Sequence, residues 1–466
     1  MENPVLRLGT PRGRTALAAT VLASSMTQLD STIVNVALPH IQRDLHTDVT
    51  GLQWVLTGYL LTLASLILLG GAAGDRFGRK RVLVGGVVWF TLASLGCAVA
   101  PSIEVLVAAR LLQGVGGALV TPGSLAIIQA SFHPDDRGAA VGAWAGLGGV
   151  AGAIGPFVGG GLISWPGWRW AFGINVPLGV AMWWCARRIP ESRDPGAEGF
   201  DVAGATLATG GLIGVTWMLN EAGNRGWVAP AVWVPGAAGA AALVAFVVWQ
   251  RRSPRPLVPP SLFASRTFTV LNIATFTLYA ALGVVFFLLV YQLQEVSGWS
   301  PVAAGSALLP STVLLILFSS RSGALADRIG PRLQLVVGPL LVAVSVLMLG
   351  TAGEGTTFLG LMPASLLFGV GLVAFVAPLT ATVMAAADPD HLSVASGVNN
   401  AVARTGTLGA VATVPLAAGL GAASGATELT AAYRLAMWIT AGLAASAALV
   451  SLLGLGRRRP TGEKET

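Results

Sequence analysis

Residues 71–80 read GAAGDRFGRK, from Gly71 to Lys80, and residues 323–332 read GALADRIGPR. Asp75 and Asp327 stand 252 positions apart (327 minus 75), each just after a long apolar run. A second echo lies at nearly the same offset, where Arg110-Leu-Leu-Gln113-Gly114 is answered by Ser365-Leu-Leu-Phe368-Gly369. A chain that repeats its own pattern at this distance is built as two related halves.

Composition sets the solvent around those halves. Charged residues are 11% of the chain and apolar residues 54%, with Gly at 60 of 466 positions, against about 25% charged in soluble proteins. Apolar runs near the bilayer-spanning length of about 20 residues recur throughout. Bounded by charge, Pro or Gly clusters, they number fourteen, the first near 14–38 and the last near 431–455. The chain reads as an all-α integral membrane protein with six spans in 1–190, an inserted two-helix hairpin with its linkers in 191–265, six spans in 266–456, and a tail at 457–466. Paired six-helix halves are the plan of transporters that rock around a central site.

With the N-terminus inside, only Arg43, Arg169, Arg225 and Arg434 of the 28 basic residues fall outside, while Arg110 and Arg404 lie within spans. Cytoplasmic loops are enriched in Lys and Arg. Both termini and the tail are therefore expected in the cytoplasm, and the protein in the cell's inner membrane. Arg7, Arg12 and Arg14 imitate the start of a signal peptide, but the run that follows exceeds a signal core of about 7–15 residues and has no clean cleavage site. The net charge of +7 is dispersed over inner loops, which excludes a nucleic-acid-binding stripe. Cys97 and Cys185 suggest no disulfide framework. His40, His46, His133 and His391 sit in loops or span ends, so no metal, cofactor or enzymatic constellation is expected.

Asp30, inside LDSTIVNVALP (29–39), is the one acidic residue clearly within a span, where a carboxylate costs roughly 2.5–3.5 kcal/mol. Span four puts Arg110, Gln113, Gly117 and Thr121 on one helical face. Arginine cannot readily lose its charge and needs a partner or water at that depth. Ser24, Thr27, Asp30 or Ser31, and Asn35 share a face of span one, and both faces are expected to look inward. Two readings stand side by side: a permanent ion pair, or a proton site facing a wet central cavity, whose affinity shifts as water, Arg110 and substrate come and go. Span five carries Gly148, Gly152, Pro156 and Gly160 at four-residue spacing, with Gly155 and Gly159 alongside. Small residues let another helix approach closely, and Pro156 removes a backbone bond and bends the helix. Gly74 and Gly78 allow a tight reversal, with Asp75 near the positive end of span three.

Taken in order, LDSTIVNVALP in span one, LQWVLTGYLL in span two, GDRFGRKR in the next loop, Arg110 with QGVGGA in span four, GGVAGAIGPFVGGG in span five, INVPLG in span six, and YQLQ with SGWSPVAAG around span nine resemble the major facilitator superfamily. Within it, they are similar to the fourteen-helix drug:proton antiporters, over nearly the whole chain. The resemblance implies the major facilitator fold, two pseudo-symmetric six-helix bundles with two extra helices between them. It implies alternating access by a monomer in the lipid bilayer, exporting a lipophilic small molecule in exchange for protons, with Asp30 and Arg110 in proton coupling. It further implies a gate or latch made by Gly71, Asp75, Arg76, Gly78, Arg79, Lys80 and Arg137, and tight closure by the span-five motif, whose GPxxGG marks antiporters rather than symporters. Pro331 stands where the first half has Arg79, and Ser365 where it has Arg110, so the second half should not carry that arginine's role. The alternative is a symporter of the same fold, or an exporter of an endogenous metabolite or nutrient. Substrate-cavity candidates are Asn35, Trp54, Tyr59, Gln113, Asn175, Asn272, Tyr279, Tyr291, Gln292, Asn399 and Arg404. Two buried arginines against one carboxylate suit neutral, monocationic or weakly anionic lipophiles better than dications.

Overall fold

A computed structural model describes residues 6–165, 167–193, 201–254, 256–387, 392–423 and 425–456, without the side chains of Ala145, Ala153, Asp327, Leu392 and Ser393. The tail at 457–466, most of the linker expected at 191–200 and the Asp327 carboxylate thus lie outside the described residues. The first half holds α1 (Pro11–Asp44), α2 (Val49–Phe77), α3 (Arg79–Ala98), α4 (Ile103–Ser131), α5 (Pro134–Ser164), and a rod broken at Ile174 into α6 (Trp170–Gly173) and α7 (Asn175–Ala186). A hairpin follows, α8 (Val202–Arg225) and α9 (Pro230–Arg252). The second half holds α10 (Arg266–Glu295), α11 (Pro301–Ser306) running on into α12 (Leu309–Ile329), α13 (Arg332–Leu349), α14 (Phe358–Ala385), α15 (Leu392–Ala417) and α16 (Ala426–Gly454). With the two broken rods each taken as one, fourteen rods among the described residues answer to the fourteen apolar runs.

Helix is the expected form here because it satisfies every backbone donor and acceptor within the segment, which lipid cannot do. Side chains mark the starts: Thr10, Asp48, Ser300 and Thr357 accept from the amides of Gly13, Gly51, Ala303 and Gly360, a bond of about 1 kcal/mol. Glycines mark two matching ends, with Gly78 at φ +111° closing α2 and Gly330 at φ +84° closing α12, backbone that other residues adopt with difficulty. Among the described residues, eleven helices are long and apolar enough to cross a bilayer by length and composition. The α6–α7 rod is shorter, and α1 and α15 fall outside that set.

The repeat is visible in packing. Within the first half α2 and α3 lie on α4, α1 lies on α5 and α7, and α3 meets α7; in the second half α12 and α13 lie on α14, α10 on α15 and α16, and α13 meets α16. Between halves, α5 meets α11 and α12 as α15 meets α2, with α1 against α10 on the axis. Hydrogen bonds joining the halves gather at the end where α1 and α10 finish, called the Arg43 end below: Arg43 Nη2 to Glu295 Oε1 at 2.6 Å, Tyr291 Oη to Gln42 Oε1 at 2.9 Å, and Gln294 Nε2 to the Val36 carbonyl at 3.0 Å. The opposite end, carrying the 75–80 loop, is the Asp75 end.

The hairpin docks on both halves. Asn220 Nδ2 donates to Thr57 Oγ1 at 2.8 Å and Trp54 Nε1 to Glu221 Oε1 at 3.0 Å, so α8 is fixed to α2. The same helix packs on α15, and therefore spans the seam where the two halves meet.

Candidate functional site

Five rods of the first half converge on Asp30. Arg110 Nη1 donates to Asp30 Oδ2 at 2.5 Å, while Gln113 Nε2 and Asn175 Nδ2 donate to Oδ1 at 2.7 and 3.1 Å. Ser94 Oγ, itself donating to the Phe172 carbonyl, accepts from both amides at 3.2 and 2.9 Å. Arg110 also donates from Nε to the Val55 carbonyl at 3.0 Å and from Nη1 to Gln113 Oε1 at 2.7 Å, and its guanidinium lies 4.3 Å from the Tyr59 ring centroid. Arg110 and Gln113 reach one partner because they lie one turn apart on α4. Asn175 is delivered by the break at Ile174, which begins α7 at that depth.

Asp30 is 0% exposed and Arg110 1%. This corrects the expectation that Asp30 faces a wet central cavity. Two amides and a guanidinium satisfy both carboxylate oxygens, so the site needs no water to hold the charge. The two earlier readings now share one geometry: the pair is formed and closed off from solvent. Sequence reasoning named four of the five side chains and missed Ser94. The available signal was Ser345, buried 251 residues later in the second half (345 minus 94) and donating to the Ala364 carbonyl at 2.7 Å.

The second half fills the same place differently. At the Arg110 position stands Ser365, fully buried, with its Oγ making no hydrogen bond, and at the Gln113 position stands buried Phe368. Ser365→Ala is expected to leave expression, melting temperature and transport near wild type, because it removes a buried hydroxyl that has no partner. A loss comparable to that of Arg110→Ala would argue against a proton site confined to the first half.

The 71–80 loop is tied down differently from expectation. Asp75, in the last turn of α2, pairs with Arg79 at the start of α3, Arg79 Nη2 to Asp75 Oδ1 at 2.7 Å, and Arg137 donates to the Phe132 carbonyl at 2.9 Å, so Arg137 is not a partner of Asp75 here. The anion at the start of α3 is Glu191, which sequence reasoning missed. Its Oε1 accepts from the Lys80 amide at 3.1 Å, where the helix dipole favours negative charge. A Cβ on Gly78 would come within 2.6 Å of that same oxygen, so the glycine serves both the turn and the close approach. Gly71 lies against Pro122 of α4, and the Arg76 guanidinium lies over the Phe77 ring.

The α5 glycines form a contact face in two parts. Gly148, Gly152, Gly155 and Gly159 face Ser24, Gln28, Thr32 and Ile33 of α1, whereas Gly160 faces Pro301 and Val302 across the seam. The Pro156 carbonyl is approached by Gly305 of α11. The motif therefore packs α5 both within its own half and against the other.

The cavity candidates separate. Tyr59, Gln113 and Asn175 belong to the Asp30 cluster. Trp54 is a hairpin anchor, bonded to Glu221 and 5.6 Å from the Trp217 ring. Gln292 is buried inside the second half on the Ala352 carbonyl and Thr430, as is Asn272, which accepts from Asn399 at 3.1 Å. Tyr291 belongs to the Arg43-end ties, and Asn35 bonds to the Ser31 carbonyl of its own helix. Tyr279 is half-buried, and its carbonyl accepts from Thr407. Only Arg404 reaches across mid-depth, to Gln28 Oε1 at 2.8 Å.

A family model for the Major Facilitator Superfamily matches residues 20–407. The chain belongs to the Major Facilitator Superfamily. Among its relatives are a puromycin resistance protein of Streptomyces alboniger, 36% identical across 85% of this chain and 80% of the relative, and a tetracenomycin C resistance and export protein of Streptomyces glaucescens, 34% identical across 85% and 74%. A methylenomycin A resistance protein of Bacillus subtilis is 33% identical across 86% of each chain. Solved structures of peptide transporters share the fold, one with a TM-score of 0.70 at 15% identity, covering 97% of this major facilitator and 96% of the transporter.

Proposed function

We propose that this major facilitator is a proton-coupled exporter of lipophilic small molecules, antibiotics among them, in the cytoplasmic membrane. The observation that carries the reading is Asp30, a titratable group buried at mid-depth beside Arg110 and one helix face away from the seam between the halves. Relatives whose names record resistance and export support the same direction of transport.

We place the Asp75 end in the cytoplasm, following the bias of basic residues. The structure then represents the protein with its outer end tied by Arg43–Glu295 and the neighbouring bonds. A proton arriving from outside converts the Asp30 carboxylate to a neutral acid, and Arg110 loses its counter-charge while keeping Gln113, Val55 and the Tyr59 ring as partners. That change alters the relative stability of the two arrangements of the halves. The membrane potential adds about 2.3 kcal/mol per unit charge per 100 mV.

The test is transport by purified protein in liposomes, with a panel that includes puromycin. A pH gradient should drive accumulation of substrate on the acidic side, with proton movement in the opposite sense, and a protonophore should collapse both. Accumulation that survives the protonophore, or substrate and protons moving together, would overturn the reading.

A further inference from the structure

Arg404 is unexplained by the proton site. It lies midway along α15 and meets Gln28 midway along α1, so it stands between the halves at the depth where charge is most expensive. Its one hydrogen bond goes to a neutral amide oxygen, and no carboxylate lies within 4 Å of it among the described residues. Asp30 does not serve it: the carboxylate bonds to Arg110, Gln113 and Asn175 within the first half. A guanidinium stays charged and carries five donors in a planar fork. One is used here.

The surroundings are open and polar on one side. Ser396, Asn400 and Arg404 stand at four-residue spacing on one face of α15, with Asn400 exposed and Arg404 and Gln28 half-buried. Because α15 begins at the Asp75 end, this stripe runs from that end to mid-depth. Tyr59, whose ring carries Arg110, has a fully buried hydroxyl that makes no hydrogen bond.

We propose that Arg404 is the recognition residue for an ionised acid group on the transported molecule, so that the substrates are lipophilic aromatic anions bearing a carboxylate or acidic phenol. A permanent structural partner for an intramembrane arginine is a carboxylate or a set of backbone carbonyls, and among the described residues Arg404 bonds to neither. A neutral amide instead orients the fork and leaves it able to take an oxyanion in the two-bond geometry that guanidinium favours. This inference rests on the export reading for its direction of transport, but binding tests it separately.

The experiment uses full-length protein in detergent and two dyes of one ring system, anionic fluorescein and cationic rhodamine 123, with binding read by anisotropy and no gradient present. Wild type should bind fluorescein more tightly than rhodamine 123. Arg404→Gln should weaken fluorescein by about tenfold to a hundredfold, the range for a bond to a charged group, and leave rhodamine 123 unchanged, while Arg404→Lys keeps part of the affinity. Equal weakening of both dyes would make Arg404 a tie between the halves and overturn the proposal, as would no effect on either. Should Arg404→Gln fail to fold, the wild-type preference decides alone, and a preference for rhodamine 123 sinks the idea. Gradient-driven export of rhodamine 123 without affinity for fluorescein would defeat this inference and leave the export reading standing. Tight fluorescein binding without proton-driven transport would do the reverse.

Discussion

Asp30→Asn is expected to abolish export driven by a pH gradient and to lower the melting temperature, while the double variant Asp30→Asn/Arg110→Gln recovers the melting temperature and stays inactive. Asparagine retains the shape of the side chain and can still bond to Gln113 and Asn175, but it cannot balance the guanidinium that lies 2.5 Å from Oδ2. Leaving one partner of a buried pair uncompensated costs about 3–5 kcal/mol. The Val55 carbonyl, Gln113 and the Tyr59 ring remain around Arg110, so the low end of that range is expected. Removing both charges removes the penalty. Neither variant can carry a titrating proton at position 30, which is why transport should not return with stability. Thermal melting in detergent and dye efflux from vesicles separate the two effects. A double variant that is stable and still pumps against a gradient would reduce the pair to a structural clamp.

Gly160→Leu is expected to reduce export to background without preventing insertion. A Cβ at this position would lie 2.5 Å from the Val302 Cα and 2.7 Å from the Pro301 carbonyl oxygen, both backbone atoms of the opposite half. Backbone cannot swing aside as a side chain can, so the halves must separate at the Arg43 end to make room. The arrangement described here would be lost, and with it the cycle that alternates between two arrangements. Gly152→Ala is the matched control, because its Cβ would meet the Cβ of Gln28 at an ordinary 3.5 Å. It should export near wild type. The check is efflux beside the accessibility of a cysteine at Val36, which should rise in Gly160→Leu; wild-type efflux and accessibility would show that the glycine is incidental to closure.

Much of the architecture was legible because lipid leaves the chain few choices. Fourteen apolar runs became fourteen rods among the described residues, with the breaks in the sixth and the tenth as features that hydropathy does not mark. The break in the sixth matters: it sets Asn175 at the start of a helix, facing Asp30. Local chemistry was legible at the caps and turns too, since Gly78 and Gly330 end their helices with the same backbone twist 252 residues apart (330 minus 78). Individual partners were harder. Asp75 suggested an anion for the start of α3, yet Glu191 holds that place, 111 positions downstream of Lys80. Trp54 looked like cavity lining and instead pins the hairpin.

The difference follows from the range of the forces. Hydropathy, capping and glycine content act within a helix turn or across one bilayer thickness, so the sequence by itself determined the membrane class, the two-half repeat, the helix count and the presence of Asp30 and Arg110 in spans. Side-chain partnerships depend on how rods rotate and slide against one another, and each rod presents several polar residues that could meet across an interface. Only the tertiary structure decided that Asp30 is sealed by Arg110, Gln113 and Asn175 rather than wetted, and that Arg404 stands at the seam with an amide for its partner. Rotating α1 by one residue about its axis, a turn of about 100°, would have shown Asp30 to another surface with the hydrophobic pattern barely changed.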